Sequence, residues 1–403
     1  MKTRIILSCL LGWIPMLWLC AQGDVKEAYL RKVLANLETI KSATYYIDGE
    51  AYQPGDTVPL FIYKRYLKEY NFPADSTIGA IYTEFEGNDT TQYSFGYNGE
   101  VRLLVYSKEK EVAVDDFTSR PLPFRPVIPP FFNYVTNIIK YALETKDHIT
   151  TTLTDVGDQY HFKLVIEEDT QVEFFGKAIH MPKSPFCTDP TSIYEIWIRK
   201  SDDLPYKRRR EMSHDVSVAM CSDVKFNQLS LEDLDLFRYI PEDYQIEKYQ
   251  YGKKKAVDAT SLIGKPASSW TLCNVKGSPV ALSDVKGKVI LLNFTGIGCG
   301  ACQAAVPFLK ELKSKYAEKD FEIVAIESWS RTPRSLQIYS DRKQLNYPVL
   351  GATDQVLVDY QTGGAAPYFF FLDEQRVIRK VIRGYSERLN EEMTEAVEDL
   401  LKH

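Results

Sequence analysis

The sequence predicts an α+β protein in which a β-rich N-terminal domain precedes a smaller α/β domain. Segments rich in Tyr, Phe, Thr and Val alternate with polar turns across residues 43–199, as half-buried antiparallel strands do. Later in the chain, an apolar run (residues 288–294), a helical pattern (301–316) and a second apolar run (321–326) follow one another. That order predicts a parallel βαβ unit with a right-handed crossover.

Length and composition are those of a globular protein with more than one domain. The chain of 403 residues is 44% hydrophobic and 26% charged, and it exceeds the ~100–200 residues of a usual domain. The net charge of −6 argues against nucleic-acid binding, which needs a basic surface. The short basic run at residues 207–210 lies between strand-like segments, and we interpret it as a solvated strand or turn. We therefore expect no nucleic-acid partner.

The first residues have the pattern of a secretory signal peptide. Basic residues precede an apolar stretch (residues 5–19), and the small Ala21 precedes polar residues. We expect cleavage after Ala21, which assigns residues 1–21 to the signal and the mature protein to the periplasm or another exported location. The apolar stretch is shorter than the ~20 residues of a membrane span. Leu19 is too large for lipoprotein processing at Cys20, so lipid anchoring is disfavoured.

Residues 22–250 are assigned to the β-rich domain. Residues 24–40 have the apolar spacing of an amphipathic helix, and the Asn-Gly pair at 98–99 predicts a hairpin between two strands. Five prolines within residues 121–130 predict a loop, and residues 131–143 have a helical pattern. No catalytic constellation is evident in this domain.

Later in this domain, residues 192–198 and a turn with Leu-Pro at 204–205 have a strand–turn–strand pattern, and residues 237–244 follow. With the helix and strands before them, these segments resemble the half-barrel of periplasmic lipoprotein carriers of the LolA type, and residues 237–244 resemble its end. The resemblance implies a half-barrel-like domain that holds a lipid or an extended peptide. The alternative is that the aromatic residues fill a core or a dimer interface. Residues 251–263, part of a lysine-rich stretch, are predicted to be a linker.

The C-terminal domain, residues 264–403, contains Cys299-Gly300-Ala301-Cys302 between a strand pattern and a helical pattern. Two thiols at this spacing can form and break a disulfide with little movement of the chain. A helix N-terminus favours the thiolate, which is the nucleophilic form. The motif therefore predicts thiol–disulfide exchange.

A structural zinc site is the main alternative for such a motif. Zinc needs two further thiolate or imidazole ligands, but the sequence has no second C-x-x-C and no H-x₃₋₅-H. The five histidines lie far from Cys299 in sequence. We therefore expect no metal and, since nicotinamide motifs are absent as well, no cofactor.

Several further elements surround the C-x-x-C motif in a fixed order. They are Gly264-Lys265-Pro266-Ala267, a hairpin at 270–280, the Leu-Ser-Asp-x-x-Gly-Lys segment at 282–288, the motif itself, the proline within 364–369, and a hairpin from 368 to 382 that ends near Gly384. Together these C-terminal residues resemble the thioredoxin-fold domain of periplasmic proteins of the TlpA/ResA type. The resemblance covers about the last third of the chain. Together with the LolA-like resemblance of the N-terminal domain, it implies an overall class of α+β, a half-barrel-like N-terminal domain followed by an α/β thioredoxin fold.

The same resemblance implies roles for individual residues. Cys299 matches the attacking thiol, which forms a mixed disulfide with the client protein, and Cys302 matches the resolving thiol. Pro367 matches a cis-proline that faces the sulfur pair, and the backbone of Ala366 is expected to pair with the client like an added strand. The alternative for Pro367 is an ordinary edge-strand proline.

Other positions depart from the pattern of the family. Asn293 stands where cytosolic thioredoxins keep a buried carboxylate, so proton transfer to Cys302 needs another group. Glu327, at the end of the next predicted strand, is the candidate; the alternative is a solvated strand-end carboxylate. Gly298 replaces the tryptophan that usually precedes the first cysteine, which leaves the disulfide less shielded and the turn more flexible.

Removal of the signal leaves five cysteines. Export permits disulfides, and Cys187 with Cys221 is the candidate structural pair. Cys273 is then the odd thiol, which we expect to be a buried small hydrophobic residue.

The leading functional prediction is an exported thiol–disulfide oxidoreductase that reduces protein disulfides through Cys299 and Cys302. The resemblance implies protein thiol or disulfide substrates and a membrane-bound electron donor. The alternative is a lipid or peptide carrier in which the redox domain is accessory. A thiol peroxidase would need Thr-x-x-Cys, but Thr295 lies four residues before Cys299.

Overall fold

The computed structural model describes residues 14–119, 127–183, 187, 189–250, 258–329 and 332–402. These residues divide into two compact units: 14–49, 63–119, 127–183 and 189–250 form the first, and 50–62, 187, 258–329 and 332–402 form the second. Three predicted features fall partly outside the described residues: the signal peptide (1–13), the proline-rich loop (120–126) and the linker (251–257).

The first unit is built from strands and two helices. The helices are α1 (Ile14–Glu38) and α2 (Phe131–Glu144). The strands are β1 (Ser42–Tyr52), β2 (Phe61–Asn71), β3 (Ala80–Glu86), β4 (Tyr93–Tyr97), β5 (Arg102–Tyr106), β6 (Glu111–Asp115), β7 (Ile149–Val156), β8 (Gln159–Ile166), β9 (Val172–Phe174), β10 (Ala178–His180), β11 (Ser192–Arg199), β12 (Leu204–Glu211), β13 (Val216–Phe226) and β14 (Gln245–Lys248).

Twelve of these strands form one sheet, in the order β14-β6-β5-β4-β3-β2-β1-β13-β12-β11-β8-β7. The hairpin predicted at residues 98–99 is confirmed, since β4 and β5 pair antiparallel on either side of it. Within the described residues, β14 and β7 are the two open edges of this sheet. The half-barrel therefore stays a prediction.

The helices of this unit bear on two predictions. The predicted second helix is confirmed as α2. The first helix begins earlier than predicted, because α1 starts at Ile14 and so includes the last residues assigned to the signal peptide. Among the described residues, no helix combines the length and the apolar character needed to cross a membrane.

The core of the first unit follows from alternating burial. Along β11, Tyr194, Ile196 and Ile198 are buried while their neighbours are only partly so. They belong to the same apolar cluster as the buried face of α2. Burying each such large side chain stabilises the fold by about 1.5–3 kcal/mol. The buried residues of α2 are Phe131, Phe132, Tyr134, Val135, Ile138 and Ile139.

The second unit is an α/β fold. Its strands are β15 (Thr271–Asn274), β16 (Pro279–Ala281), β17 (Val289–Thr295), β18 (Phe321–Glu327), β19 (Val349–Gly351), β20 (Tyr368–Leu372) and β21 (Ile378–Arg383). Its helices are α3 (Gly300–Lys315), α4 (Pro333–Lys343), α5 (Asp354–Asp359) and α6 (Leu389–Lys402).

The predicted βαβ unit is confirmed, because β17 and β18 are parallel and α3 lies between them in the chain. The sheet order is β16-β15-β19-β18-β17-β20-β21, and β20 runs antiparallel to β17. All seven residues of β17 are buried, which is typical of a strand covered on both faces. Leu291 belongs to an apolar cluster on one face, with Leu309 of α3, while Leu292 belongs to the cluster on the other. The end of β17 is therefore a rigid support for the turn that follows it.

Candidate functional site

The two cysteines of the motif lie at the start of α3. Cys299 is the N-cap residue of this helix, and its Sγ atom accepts a hydrogen bond from the backbone N–H of Cys302 at 3.1 Å. The first turn of a helix has N–H groups without partners inside the helix, and its dipole favours negative charge there. The predicted position of the first thiol at a helix N-terminus is thus confirmed, and this position stabilises a thiolate.

Cys299 and Cys302 are joined in a disulfide, with Cα atoms 5.2 Å apart. The two sulfurs have different surroundings, because Cys299 is partly exposed whereas Cys302 is only 2% exposed. An accessible thiol can meet a second protein, and a buried one can meet only its neighbour. The arrangement therefore allows one attacking and one resolving thiol.

A proline loop lies beside the exposed sulfur. The peptide bond between Ala366 and Pro367 is cis, as predicted, and Pro367 directly precedes β20. The carbonyl oxygen of Ala366 is 3.8 Å from the Sγ atom of Cys299. The backbone at Ala366 is therefore close enough to contact any chain bound at Cys299.

Asn293 and Glu327 occupy adjacent strands of the sheet beneath the motif. Asn293 is 3% exposed in β17, where it is opposite Ala325 of β18. Glu327 is the last residue of β18 and is paired in register with Thr295, four residues before Cys299. Glu327 is fully buried, and its Oε2 atom accepts the backbone N–H of Trp329 at 3.0 Å. The alternative of a solvated strand-end carboxylate is therefore wrong.

Two glutamines that sequence reasoning missed hold the turn before Cys299. Gln303, the residue after Cys302, donates from Nε2 to the carbonyl oxygen of Ile297 at 2.8 Å and to Oε1 of Gln53 at 3.1 Å. Gln53 is 3% exposed, and its own Nε2 lies 3.3 Å from the same Ile297 oxygen. The carbonyl two residues before Cys299 thus accepts two amide donors.

Gln53 reaches this turn because residues 50–62 are part of the second unit. Leu60 is buried in the apolar cluster that includes α3, and its carbonyl oxygen accepts the hydroxyl of Ser335. Asp56 forms an ion pair with Arg342 of α4. No sequence signal points to this segment, since Gln53 lies 244 residues from Ile297 along the chain.

Of the remaining cysteines, Cys273 differs from its prediction. Cys273 is exposed, so the expectation of a buried residue is wrong: side chains alternate along β15, and Leu272 takes the buried side. Cys221 is buried in the first unit, and burial raises its thiol pKa. The structure contains no bridge between Cys187 and Cys221, and that pairing stays a prediction.

Metal ligands are not clustered anywhere in the described ranges. Within them, no group of three or more His, Cys, Asp or Glu side chains is arranged to hold an ion.

The C-terminal part of the chain is similar to known redox proteins. Residues 262–400 match the Redoxin family model. The thiol-disulfide oxidoreductase ResA of Bacillus cereus is 31% identical over 121 residues, which cover 30% of this chain and 69% of that protein. The ResA of Geobacillus kaustophilus is 32% identical over 123 residues, covering 30% and 70%. The thioredoxin-like protein YneN of Bacillus subtilis is 30% identical over 135 residues, covering 33% and 77%.

Solved structures match a similar share of the chain. A thiol:disulfide interchange protein from Chlorobium tepidum aligns with 34% of this chain and 95% of its own, at 24% identity and a TM-score of 0.29. One from a Bacteroides species aligns with 35% and 91%, at 20% identity and a TM-score of 0.31. Each of these likenesses covers about a third of this chain.

Proposed function

The chain belongs, through its C-terminal third, to the ResA family of thioredoxin-like thiol–disulfide oxidoreductases, and on that basis we propose that it reduces disulfides of exported client proteins through Cys299 and Cys302. The protein is an oxidoreductase. The observation that carries the proposal is the asymmetric sulfur pair at the start of α3, one sulfur accessible and the other buried.

The reaction begins from the dithiol form. The thiolate of Cys299 attacks one sulfur of the client disulfide, the client S–S bond breaks, and one client thiolate leaves and takes up a proton. Cys302 then loses its proton and attacks the Sγ atom of Cys299, which releases the second client thiol. Two electrons pass to the client, and the enzyme is left with the Cys299–Cys302 disulfide.

The N-cap position supports the first step. The N–H of Cys302 that points at the Sγ atom of Cys299 stabilises negative charge on that sulfur. Since the thiolate is the nucleophilic form of cysteine, this contact favours attack by Cys299 on a client disulfide.

The second step needs a group that accepts the proton of Cys302. Asn293 cannot do so, because an amide is not a base. We assign this role to Glu327, whose burial at the carboxyl end of β18, in register with the end of β17, supports it.

Client binding is assigned to the loop at Ala366 and Pro367. The carbonyl oxygen of Ala366 faces Cys299, so an extended client segment at the sulfur meets a backbone acceptor there. A membrane-bound electron donor is proposed to return the enzyme to the dithiol form.

The proposal includes three further assignments. Residues 1–21 act as a signal peptide, and the mature protein is periplasmic or otherwise exported. Residues 22–250 form a partner- or substrate-binding domain joined through residues 251–263 to the redox domain at 264–403. A lipid or peptide carrier remains the alternative for the β-rich domain, and co-purified lipid or peptide would favour it.

Insulin reduction with dithiothreitol as electron source tests the activity. We expect Cys299→Ser to lower the rate by roughly a hundredfold or more, because the nucleophile is lost. Cys302→Ser should accumulate a mixed disulfide, since nothing then releases the client. Cys273→Ser, which removes an exposed thiol of the same unit, is the matched control and should keep the wild-type rate. A Cys299→Ser variant as active as wild type would contradict the proposal.

The direction of electron flow is tested by the reduction potential of the pair. A value near that of thioredoxin, about −270 mV, supports a reductant, whereas one near −120 mV is typical of a strong oxidant. The second result would reverse the proposed direction and leave the exchange chemistry intact.

A further inference from the structure

Trp329 lies against the turn that leads to Cys299. A Cβ atom placed on Gly296 would be 2.8 Å from three carbon atoms of the six-membered ring of Trp329, and one placed on Gly298 would be 3.7 Å from the same ring. Cβ atoms essentially never approach a non-bonded heavy atom to less than 3.0 Å, so the ring can occupy this place only because residue 296 has no side chain. The indole therefore rests on the backbone directly before the attacking cysteine.

The ring is also fixed to the loop on the other side of the site. Its Nε1 atom donates to the carbonyl oxygen of Gly364 at 2.9 Å, three residues before Pro367. The backbone N–H of Trp329 is bonded to Glu327, and the N–H of Ser328 is bonded to the carbonyl oxygen of Thr295 at 2.8 Å. The polar atom of the indole is thus satisfied within the protein, and the ring touches both loops that border the sulfur pair.

A large part of this side chain nevertheless remains in contact with solvent. Trp329 is 38% exposed, although it is a large aromatic residue held in place by a hydrogen bond. A satisfied Nε1 leaves only apolar ring surface for an additional contact. Aromatic residues with one polar anchor and one exposed face are typical of binding surfaces.

We propose that Trp329 is a specificity-determining residue, which binds an apolar side chain of the client next to the cysteine attacked by Cys299. This inference rests on the proposed function, because it needs a client disulfide at Cys299. The occupant is an extended segment of a client protein in which Leu, Phe or another apolar residue flanks the cysteine. Contact with the ring removes apolar surface of both partners from water, and this stabilises the complex.

The test compares two disulfide-linked peptides that differ only in the residue beside the cysteine, Leu in one and Ser in the other. The experiment measures kcat/KM for each peptide and divides the value for the Leu peptide by the value for the Ser peptide. A general loss of redox activity lowers both values equally and therefore leaves this ratio unchanged. We expect wild type to favour the Leu peptide by about tenfold, as is usual for one apolar group in a binding site. The preference should arise mainly in KM.

Three variants complete the test. Trp329→Ala should bring the ratio close to one, and Trp329→Phe should retain most of the preference because it keeps an aromatic face. Ile263→Ala, which removes another exposed apolar side chain of the second unit, is the control and should keep the wild-type ratio. An unchanged ratio in Trp329→Ala, or a wild-type ratio of one, overturns the inference. Failure of wild type to reduce either peptide would instead overturn the proposed function.

Discussion

Glu327 is the residue whose role depends most on its position in the folded chain. Its side chain is fully buried and accepts a hydrogen bond from the backbone N–H of Trp329. Burial raises the pKa of the Tyr339 phenol, and the nearby charge of Glu327 raises it further. Burying a carboxylate costs free energy unless polar groups compensate. A buried carboxylate that is paired in register with the strand leading to the redox motif is well suited to exchange a proton with a thiol.

We predict that Glu327→Gln slows release of the client more than its capture. Glutamine keeps the shape and the hydrogen bond from Trp329 but cannot accept a proton from Cys302, so the second step should slow by roughly a hundredfold. Quenched-flow measurement at pH 7 should then show the mixed disulfide accumulating. The difference from wild type should shrink at high pH, where hydroxide deprotonates the thiol.

The control for this variant is Glu322→Gln. Glu322 lies on the same strand, β18, but its carboxylate is paired with Lys313. We expect its kinetics to match wild type. Equal release rates for wild type and Glu327→Gln at pH 7 would exclude Glu327 as the base.

The sequence predicted the site only where its parts are close together in the chain. The sulfur pair is a four-residue motif, and its start at a helix follows from the apolar patterns on either side. Gln53 could not be found, since the segment that carries it precedes the motif by more than two hundred residues and has no chemical signature of its own. Trp329 was missed for a related reason: its importance lies in a glycine on another loop that leaves room for its ring.

Among the elements, α2 has an unusual N-terminus. Its first N–H groups have no partner within the helix, and the carboxylate of Glu69 on β2 accepts two of them, from Asn133 at 2.7 Å and Phe132 at 3.2 Å. The hydroxyl of Tyr45 on β1 donates to the same carboxylate at 2.5 Å. Burial nevertheless dominates and raises the pKa of Glu69 to about 7.

This shift in the pKa of Glu69 predicts that the packing of α2 becomes less stable as the pH rises. The pKa of Glu69 increases from its ordinary value of 4.5 to about 7 in the folded protein, so folding favours the protonated form. The resulting stabilisation is complete below pH 4.5 and is lost as the pH rises through 7. Since one pKa unit corresponds to about 1.4 kcal/mol, the change is on the order of 3 kcal/mol at most.

Hydrogen exchange of the α2 amides, compared between wild type and Glu69→Gln at each pH, measures this effect. We expect protection in wild type to decrease relative to the variant between pH 4.5 and 7, because glutamine does not titrate. Glu86→Gln, on the exposed end of β3, is the control and should follow wild type. A constant difference across this range would show that Glu69 does not titrate there.

Whether a segment forms a helix or a strand could be predicted wherever its pattern of apolar residues was long. The βαβ unit and α2 were found with boundaries within one residue or two, because apolar spacing over ten or more residues distinguishes a helix from a strand. The start of α1 could not be predicted as closely, since the apolar run of a signal peptide also satisfies the pattern of a helix. Cys273 was misassigned because a four-residue strand is too short to reveal which of its faces is buried.

At the scale of the whole molecule, the chain joins a large open sheet to a redox fold, and its cysteines are distributed over both units. Cys221 belongs to the core of the first unit, whereas Cys273 and the disulfide belong to the second. The thiols of Cys221 and Cys273 differ in access, because Cys221 is buried and Cys273 is exposed.

Thiol labelling should therefore separate the cysteines by position. In the native, oxidised protein at pH 8, iodoacetamide should modify Cys273 rapidly, because its side chain is exposed. Cys221 should react at least about a hundredfold more slowly, since only local or global unfolding exposes it and burial raises the pKa of its thiol. Mass spectrometry of tryptic peptides measures both rates, and labelling in guanidinium chloride is the control in which the two rates should become equal.

Rapid labelling of Cys221 in the native protein would contradict its place in the core. A peptide linking it to Cys187 under non-reducing conditions would instead establish the structural disulfide that export permits.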